Sequence, residues 1–122
     1  MEPLRTAVIG CGKVGQIHAQ ILRDLPGSRL VAVCDSSPDR AEEFARRFGG
    51  RAFTDVDAML AASSAQVVTI CTPHPLHADA AIRAARAGAH VLGEDGRAVV
   101  AMFTAIYRSR RELRPIPFPV GA

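Results

Sequence analysis

The stretch Gly10–Leu22, GCGKVGQIHAQIL, decides how the rest of the chain is read. Three glycines stand in a G-x-G-x-x-G pattern, directly after the apolar run LRTAVI (Leu4–Ile9) and ahead of a segment with helical periodicity. Strand, glycine turn and helix in that order allow two readings, a phosphate-binding turn or a glycine-rich corner without a ligand.

Working outward, short strand-like runs alternate with helix-like stretches. Lys13 to Leu25 reads as a helix, with Val14, Ile17, Ile21, Leu22 and Leu25 on one face and Pro26-Gly27 as its stop. RLVAVC (Arg29–Cys34) reads as the second strand. Ser37-Pro38 opens a helix through Phe48 that Gly49-Gly50 ends, with Pro at a tolerated first-turn position. Arg51 to Phe53 is a short strand. A brief helix capped by Thr54 or Asp55 comes next, carrying Val56, Met59 and Leu60. QVVTIC (Gln66–Cys71) is the most continuous apolar strand, Ala78 to Ala87 a helix closed by Gly88, and His90 to Leu92 a fifth strand. Strands apolar on both faces and linked by helices imply an α/β fold, a doubly wound, Rossmann-like parallel sheet with helices on both faces. Right-handed crossovers then give the strand order 3-2-1-4-5.

Within that frame the glycine turn acquires a partner, because Asp35 lies 20 residues past Gly15 at the end of the second strand. That is the spacing of dinucleotide recognition. Gly10 allows the tight turn, Gly12 lets a pyrophosphate approach the backbone, and Gly15 lets the helix pack closely on the sheet. Free N–H groups of Cys11, Lys13 and Val14 at the helix start would face the phosphates. Asp35 would accept from both hydroxyls of the adenosine ribose, which favours NAD over NADP. Ser36 and Ser37 soften that preference, and Arg40 would help a phosphate if its side chain reached back. The competing reading makes Asp35 a helix cap and the glycines corner residues.

Bulk properties exclude other classes. The 122 residues support one domain, and 48% are hydrophobic, enough for a real core. Aromatics are 5% and Trp is missing, so aliphatic side chains must fill the interior. The absence of a long apolar segment argues against a membrane span. The net charge of +3 sits in the tail: 11 basic and 11 acidic residues cancel through Tyr107, and beyond it stand four Arg against Glu112. A neutral body argues against a nucleic-acid surface. Cys11, Cys34 and Cys71 lack C-x-x-C spacing, and with no leader they fit a cytoplasmic location and packing roles at the cofactor rim. The four His show no ligand spacing with them, so no metal site is expected.

The ordered segments VIGCGKVGQIHAQIL, VAVCDSSPDRAEEFA and CTPHPLHADAAIRAARAGAHVLGE carry a resemblance over roughly Leu4 to Ala98. They resemble the nucleotide-binding half of the glucose–fructose oxidoreductase, inositol dehydrogenase and rhizopine-catabolism family (Gfo/Idh/MocA). The resemblance implies an NAD(P)-dependent oxidoreductase domain whose relatives transfer hydride on sugars and cyclitols. It also implies that the turn Thr72-Pro73-His74-Pro75-Leu76-His77 lies against the cofactor near the nicotinamide ribose, making Thr72, Pro73 and His77 candidate contacts. A plain helix start is the other reading of His77, and His18 reads as structural.

Two departures from the family pattern narrow the expected function. Where the family carries Glu-Lys-Pro after the fifth strand, this chain has Glu94-Asp95-Gly96. Glu94 is retained as a cofactor-site candidate, but a carboxylate in place of the ammonium reverses the local field. Relatives then continue into an α+β substrate domain, whereas 26 residues, 97 to 122, come after Gly96 here. The expected layout is a dinucleotide-binding domain at 1–96, a C-terminal helix at 97–114 and a Pro-rich extended tail at 115–122, with the substrate domain truncated away. The resulting expectation is a cofactor-binding domain without a complete catalytic apparatus and with no assigned catalytic residue. Its partners would be a nicotinamide dinucleotide, NAD with NADP as the lesser option, and either a second copy or a separate substrate-domain chain. A non-catalytic NAD-responsive interaction module and a small complete enzyme with an unfamiliar pocket are the alternatives.

Overall fold

The computed structural model describes residues 3–72 and 74–93, with backbone alone at 74–77 and 93. The expected helix at 97–114, the Pro-rich tail, Pro73, Glu94 and the Glu94-Asp95-Gly96 departure lie outside the described residues.

Among the described residues nine elements alternate. They are β1 (Leu4–Ile9), α1 (Lys13–Asp24), β2 (Ser28–Cys34), α2 (Pro38–Phe48), β3 (Arg51–Phe53), α3 (Val56–Ser63), β4 (Val67–Ile70), α4 (His74–Arg86) and β5 (His90–Gly93). All neighbouring strands pair in parallel, in the order β3-β2-β1-β4-β5. The order reverses at β1, so the C-terminal ends of β1 and β4 flank a crevice, the usual place for a ligand in such sheets.

Both faces of the sheet are dry, which explains why the central strands read as unbroken apolar runs. On one face α1 and α2 bury Leu4, Val8, Leu22, Val33, Phe44 and Val67. On the other, α3 and α4 cover Ala7, Ile9, Ala32, Met59, Val68 and Ile70. Completely burying a side chain such as Leu22 contributes about 2 kcal/mol. Small residues on α4, Ala80 and Ala84, let that helix lie close to the sheet. Local chemistry sets the ends: Ser37 and Asp55 cap α2 and α3 by accepting from the N–H of Arg40 and Ala58. At the β3 edge, the Arg51 guanidinium lies 5.0 Å from the centre of the Phe53 ring.

Three expectations are corrected. Val14 and Ile17 are not on the inner face of α1; they are 46% and 57% exposed, and Gly15, His18, Ala19 and Leu22 point inward instead. The cause is Gly15. Its contact with the β1–α1 turn fixes the helix rotation, and at 100° per residue Val14 and Ile17 then fall to the side and the back. The helix α4 begins at His74 rather than Ala78, because Pro75 falls in the first turn, where its missing N–H has no intrahelical partner to lose. Finally, β4 spans Val67–Ile70 and not Gln66–Cys71, although the N–H of Cys71 still reaches the Ile9 carbonyl at 2.7 Å.

Candidate functional site

The crevice at the β1/β4 switch point opens into a cleft of about 640 Å³. Its floor is Gly10, Cys11 and Gly12, and one wall is Lys13 and Val14 from the first turn of α1. Asp35, Ser36 and Arg40 enter from the β2–α2 connection, and Cys71 and Thr72 close the β4 side. The structure therefore brings together nine of the residues singled out in the sequence: Gly10, Cys11, Gly12, Lys13, Val14, Asp35, Ser36, Arg40 and Thr72. Gly15 lies beneath the cleft, where it lets the helix approach the turn. His77 falls within α4, where nothing is described of its side chain, and Pro73 and Glu94 lie outside the described residues.

The three glycines have different reasons to be glycine. Gly10 has φ of +100°, and a Cβ there would sit 2.6 Å from the Cys71 carbonyl carbon. A Cβ on Gly15 would sit 2.0 Å from the Gly10 carbonyl oxygen. Gly12 is unlike both. Its φ of −93° and ψ of −160° are extended backbone that any residue adopts, and a Cβ there would meet nothing within 4 Å. The fold does not require glycine at 12, but the open space above it accommodates a phosphate resting on the main chain.

The start of α1 is suited to such a group. It has no side-chain cap and no acidic residue in its first turn, and its first residue is Lys13. A cation against the positive end of a helix dipole costs some tenths of a kcal/mol up to about 1 kcal/mol, a cost an anion in the cleft would reverse.

Asp35 is 91% buried and points into the cleft. Its Oδ2 accepts from the N–H of Cys11 at 3.2 Å and from Arg40 Nη1 at 3.5 Å. Its Oδ1 accepts from the N–H of Ser37 at 3.3 Å and from Ser36 Oγ at 3.4 Å. The carboxylate thus ties the glycine turn to the β2–α2 connection. The α2 cap belongs to Ser37, which rules out the reading of Asp35 as that helix's cap.

Cys11, Cys34 and Cys71 all line the cleft as free thiols. Burial, joined by the nearby Asp35 carboxylate, pushes Cys11 from the usual 9.0 up to about 12. Burial, with Asp55 and Asp35 adding, raises Cys34 to about 11, and burial raises Cys71 to about 11. The thiols are therefore neutral at physiological pH and present no negative charge to a phosphate. Between pH 9 and 11 the unfolded chain ionises these thiols while the folded chain keeps them protonated, so the unfolded state binds fewer protons. Unfolding free energy should then fall as pH rises through this window. Denaturant titrations at pH 8 and 10.5 check this, with a flatter dependence expected for the Cys11→Ala variant.

Five cleft residues escaped the sequence reading: Ile9 at the end of β1, Thr54 and Val56 beyond β3, and Asp79 and Ala80 in α4. The strand order carried a signal for Thr54 and Val56, since the connection after β3 opens on the same rim as Asp35. Among the described residues no group of His, Cys, Asp and Glu is placed to hold a metal, and no helix is long and apolar enough to cross a membrane.

A doubly wound parallel sheet with a glycine cradle at its switch point and an acidic residue ending the next strand defines the class of dinucleotide-binding folds. The chain belongs to the Gfo/Idh/MocA oxidoreductase family with the NAD-binding Rossmann fold, whose profile matches residues 4–95. It is similar to inositol 2-dehydrogenase of Rhizobium meliloti (strain 1021), 40% identical over 91 residues that make up 75% of this chain and 27% of that protein. In structure it is similar to a 3-ketoreductase from Actinomadura kijaniata solved with NADP and TDP-benzene, at a TM-score of 0.71 and 32% identity, over 89% of this chain and 35% of the other. A second neighbour is the WlbA dehydrogenase from Bordetella pertussis solved with NADH and UDP-GlcNAcA, at a TM-score of 0.71 and 30% identity, over 77% and 29%. The chain spans about a quarter of the length of the curated relatives it matches. The expected fold, family and cofactor class agree with these findings.

Proposed function

We propose that this chain is the cofactor-binding unit of an oxidoreductase that moves hydride between a nicotinamide dinucleotide and a sugar or cyclitol. The observation that carries the reading is Gly12, a glycine that backbone conformation and packing leave unexplained and that borders the open cleft. In this reading the main-chain amides from Gly12 to Val14 hold the pyrophosphate, with Lys13 beside them; the Gly10 and Cys11 amides are taken by the Cys34 carbonyl and by Asp35 and shape the turn instead. Asp35 takes the adenosine ribose with Ser36 and Arg40 at its rim. The family resemblance assigns Thr72, Pro73 and His77 as contacts near the nicotinamide ribose and keeps Glu94 as a further cofactor contact. The bound cofactor would supply the hydride chemistry, and the residues named here bind and orient it.

Reaction on a sugar or cyclitol is supported by relatives such as inositol 2-dehydrogenase and the D-glucoside 3-dehydrogenase of Escherichia coli. We propose further that turnover needs groups beyond these residues, of the kind a second copy or a separate substrate-domain chain would supply. The support is Asp95 where the family carries lysine. Domain limits of 1–96, 97–114 and 115–122 remain part of this proposal. The three free cysteines favour a reducing, cytoplasmic setting.

Calorimetric titration with NADH tests the assignment. The expected result is saturable 1:1 binding, with the Asp35→Ala variant weakened by about tenfold or more through loss of charge-assisted hydrogen bonds to the ribose. Absence of binding at millimolar NADH overturns it.

A further inference from the structure

We infer that the end of the domain opposite the cleft is a docking surface for duplex nucleic acid, bound through its phosphates and without regard to sequence. The inference is independent of the dinucleotide reading.

All five strands run parallel toward the cleft, so their first residues and the last turns of the helices gather toward the other end. Six exposed arginines stand there. Arg5 and Arg29 take the second positions of β1 and β2, and Arg51 starts β3. Arg23 is in the last turn of α1, and Arg46 and Arg47 are in that of α2. Composition only adds charges, whereas the fold sorts them, so the neutral sum of the body conceals this cluster. Fewer carboxylates accompany it. Asp24 holds Arg23 at 3.0 Å, and Glu42 and Glu43 stand one turn back on α2. Among the described residues Arg29, Arg46, Arg47 and Arg51 have no carboxylate partner.

Helix dipoles account for part of this, because cations suit a last turn. They do not account for Arg5, Arg29 and Arg51, which are on strands, where net dipoles are small. Arg5 and Arg29 are also neighbours in the β1–β2 register, a like-charge pair that disfavours the fold. Several of these guanidinium groups are already held in place. Arg23 and Arg47 lie 5.7 and 4.9 Å from the centre of the Phe48 ring, and Arg5 Nε donates to the Ser64 carbonyl at 2.9 Å. Ordered groups lose less freedom on binding.

Fixed guanidinium forks match phosphate oxygens two at a time. Phe48 is 8% exposed beneath its two guanidinium groups, so its ring is not free to stack on an unpaired base. A duplex keeps its bases stacked and presents its phosphates, which fits this surface better than a single strand does. A chain that completes the active site does not explain this end, since it has to reach the cleft.

Fluorescence anisotropy of the full chain with a short labelled duplex of mixed sequence tests the inference. The expected result is about micromolar affinity at low salt. Log affinity should fall against log salt with a slope of about −4 to −5, roughly 0.9 for each phosphate met. Arg29→Gln and Arg46→Gln should each flatten that slope by about one, with an unchanged circular dichroism spectrum. Absence of binding at low salt, or slopes that these substitutions leave alone, overturn the inference. So does a single strand bound more tightly than the duplex, or equally effective competition by polyglutamate. A slope that depends only on the arginines at 108, 110, 111 and 114 assigns the binding to the tail and overturns it as well.

Discussion

Replacing Gly12 with alanine should leave the protein folded and weaken dinucleotide binding by roughly 10- to 100-fold. The substitution meets nothing within 4 Å, and φ of −93° suits any residue. Alanine restricts the unfolded chain more than glycine does but is the poorer residue at the N-cap of α1, so the two effects offset and stability should stay within about 1 kcal/mol of the native protein. The added methyl would occupy space that a pyrophosphate needs for contact with the backbone. A hydrogen bond to a charged group contributes about 1.5–3 kcal/mol, so forcing the phosphates off one amide should weaken NADH by roughly 10- to 100-fold. A thermal melt and a calorimetric titration on the same preparation check both halves. Retained NADH affinity in a well-folded variant would show that the space over Gly12 is not where the phosphates lie.

Three residues on, the same substitution should have the opposite consequence. A Cβ on Gly15 would sit 2.0 Å from the Gly10 carbonyl oxygen and 3.1 Å from its carbon. These are main-chain atoms of a turn whose own N–H bonds the Cys34 carbonyl at 2.8 Å, so no side chain can move to relieve the clash. The helix α1 would have to lift from β1 and disturb the contacts of Ala19 and Leu22. Overpacking usually costs about 1–3 kcal/mol, and an unyielding backbone puts this case at about 3 kcal/mol or more. In a domain of this size that lowers the melting temperature by roughly 10–20 °C, measurable by calorimetry or circular dichroism. Because total stability is commonly about 5–15 kcal/mol, the Gly15→Ala variant could still fold, with weakened binding that tracks its instability. The pair separates a glycine kept for the ligand from one kept for the fold.

Much of this arrangement is legible in the residues themselves. The runs Leu4–Ile9, Pro38–Phe48 and Arg51–Phe53 have the limits their patterns indicate, and the strand order is the one expected, most of that topology following from right-handed crossovers. Asp35 is marked by its distance from Gly15, because one βαβ unit fixes that separation. The inner face of α1 is hidden from the sequence for a physical reason. Val14 and Ile17 are as apolar as Leu22, and composition does not reveal a helix rotation set by a contact of Gly15. The start of α4 is masked by Pro73 and Pro75, which suggest a turn but are compatible with a first helical turn. Thr54, Val56, Asp79 and Ala80 reach the cleft from the β3–α3 junction and from α4, and no local spacing encodes how such distant segments converge. The fourfold occupation of Asp35 requires side-chain geometry, since sequence places Ser36, Ser37 and Arg40 nearby without showing that all serve one carboxylate.

The border strand β3 has only three residues, and a guanidinium rests across its terminal aromatic ring. A stretch this short and this charged offers little template for another chain to zip onto. Homotypic assembly of this protein should therefore be sought on its helical flanks or beyond β5, and crosslinks between copies should avoid Arg51–Phe53.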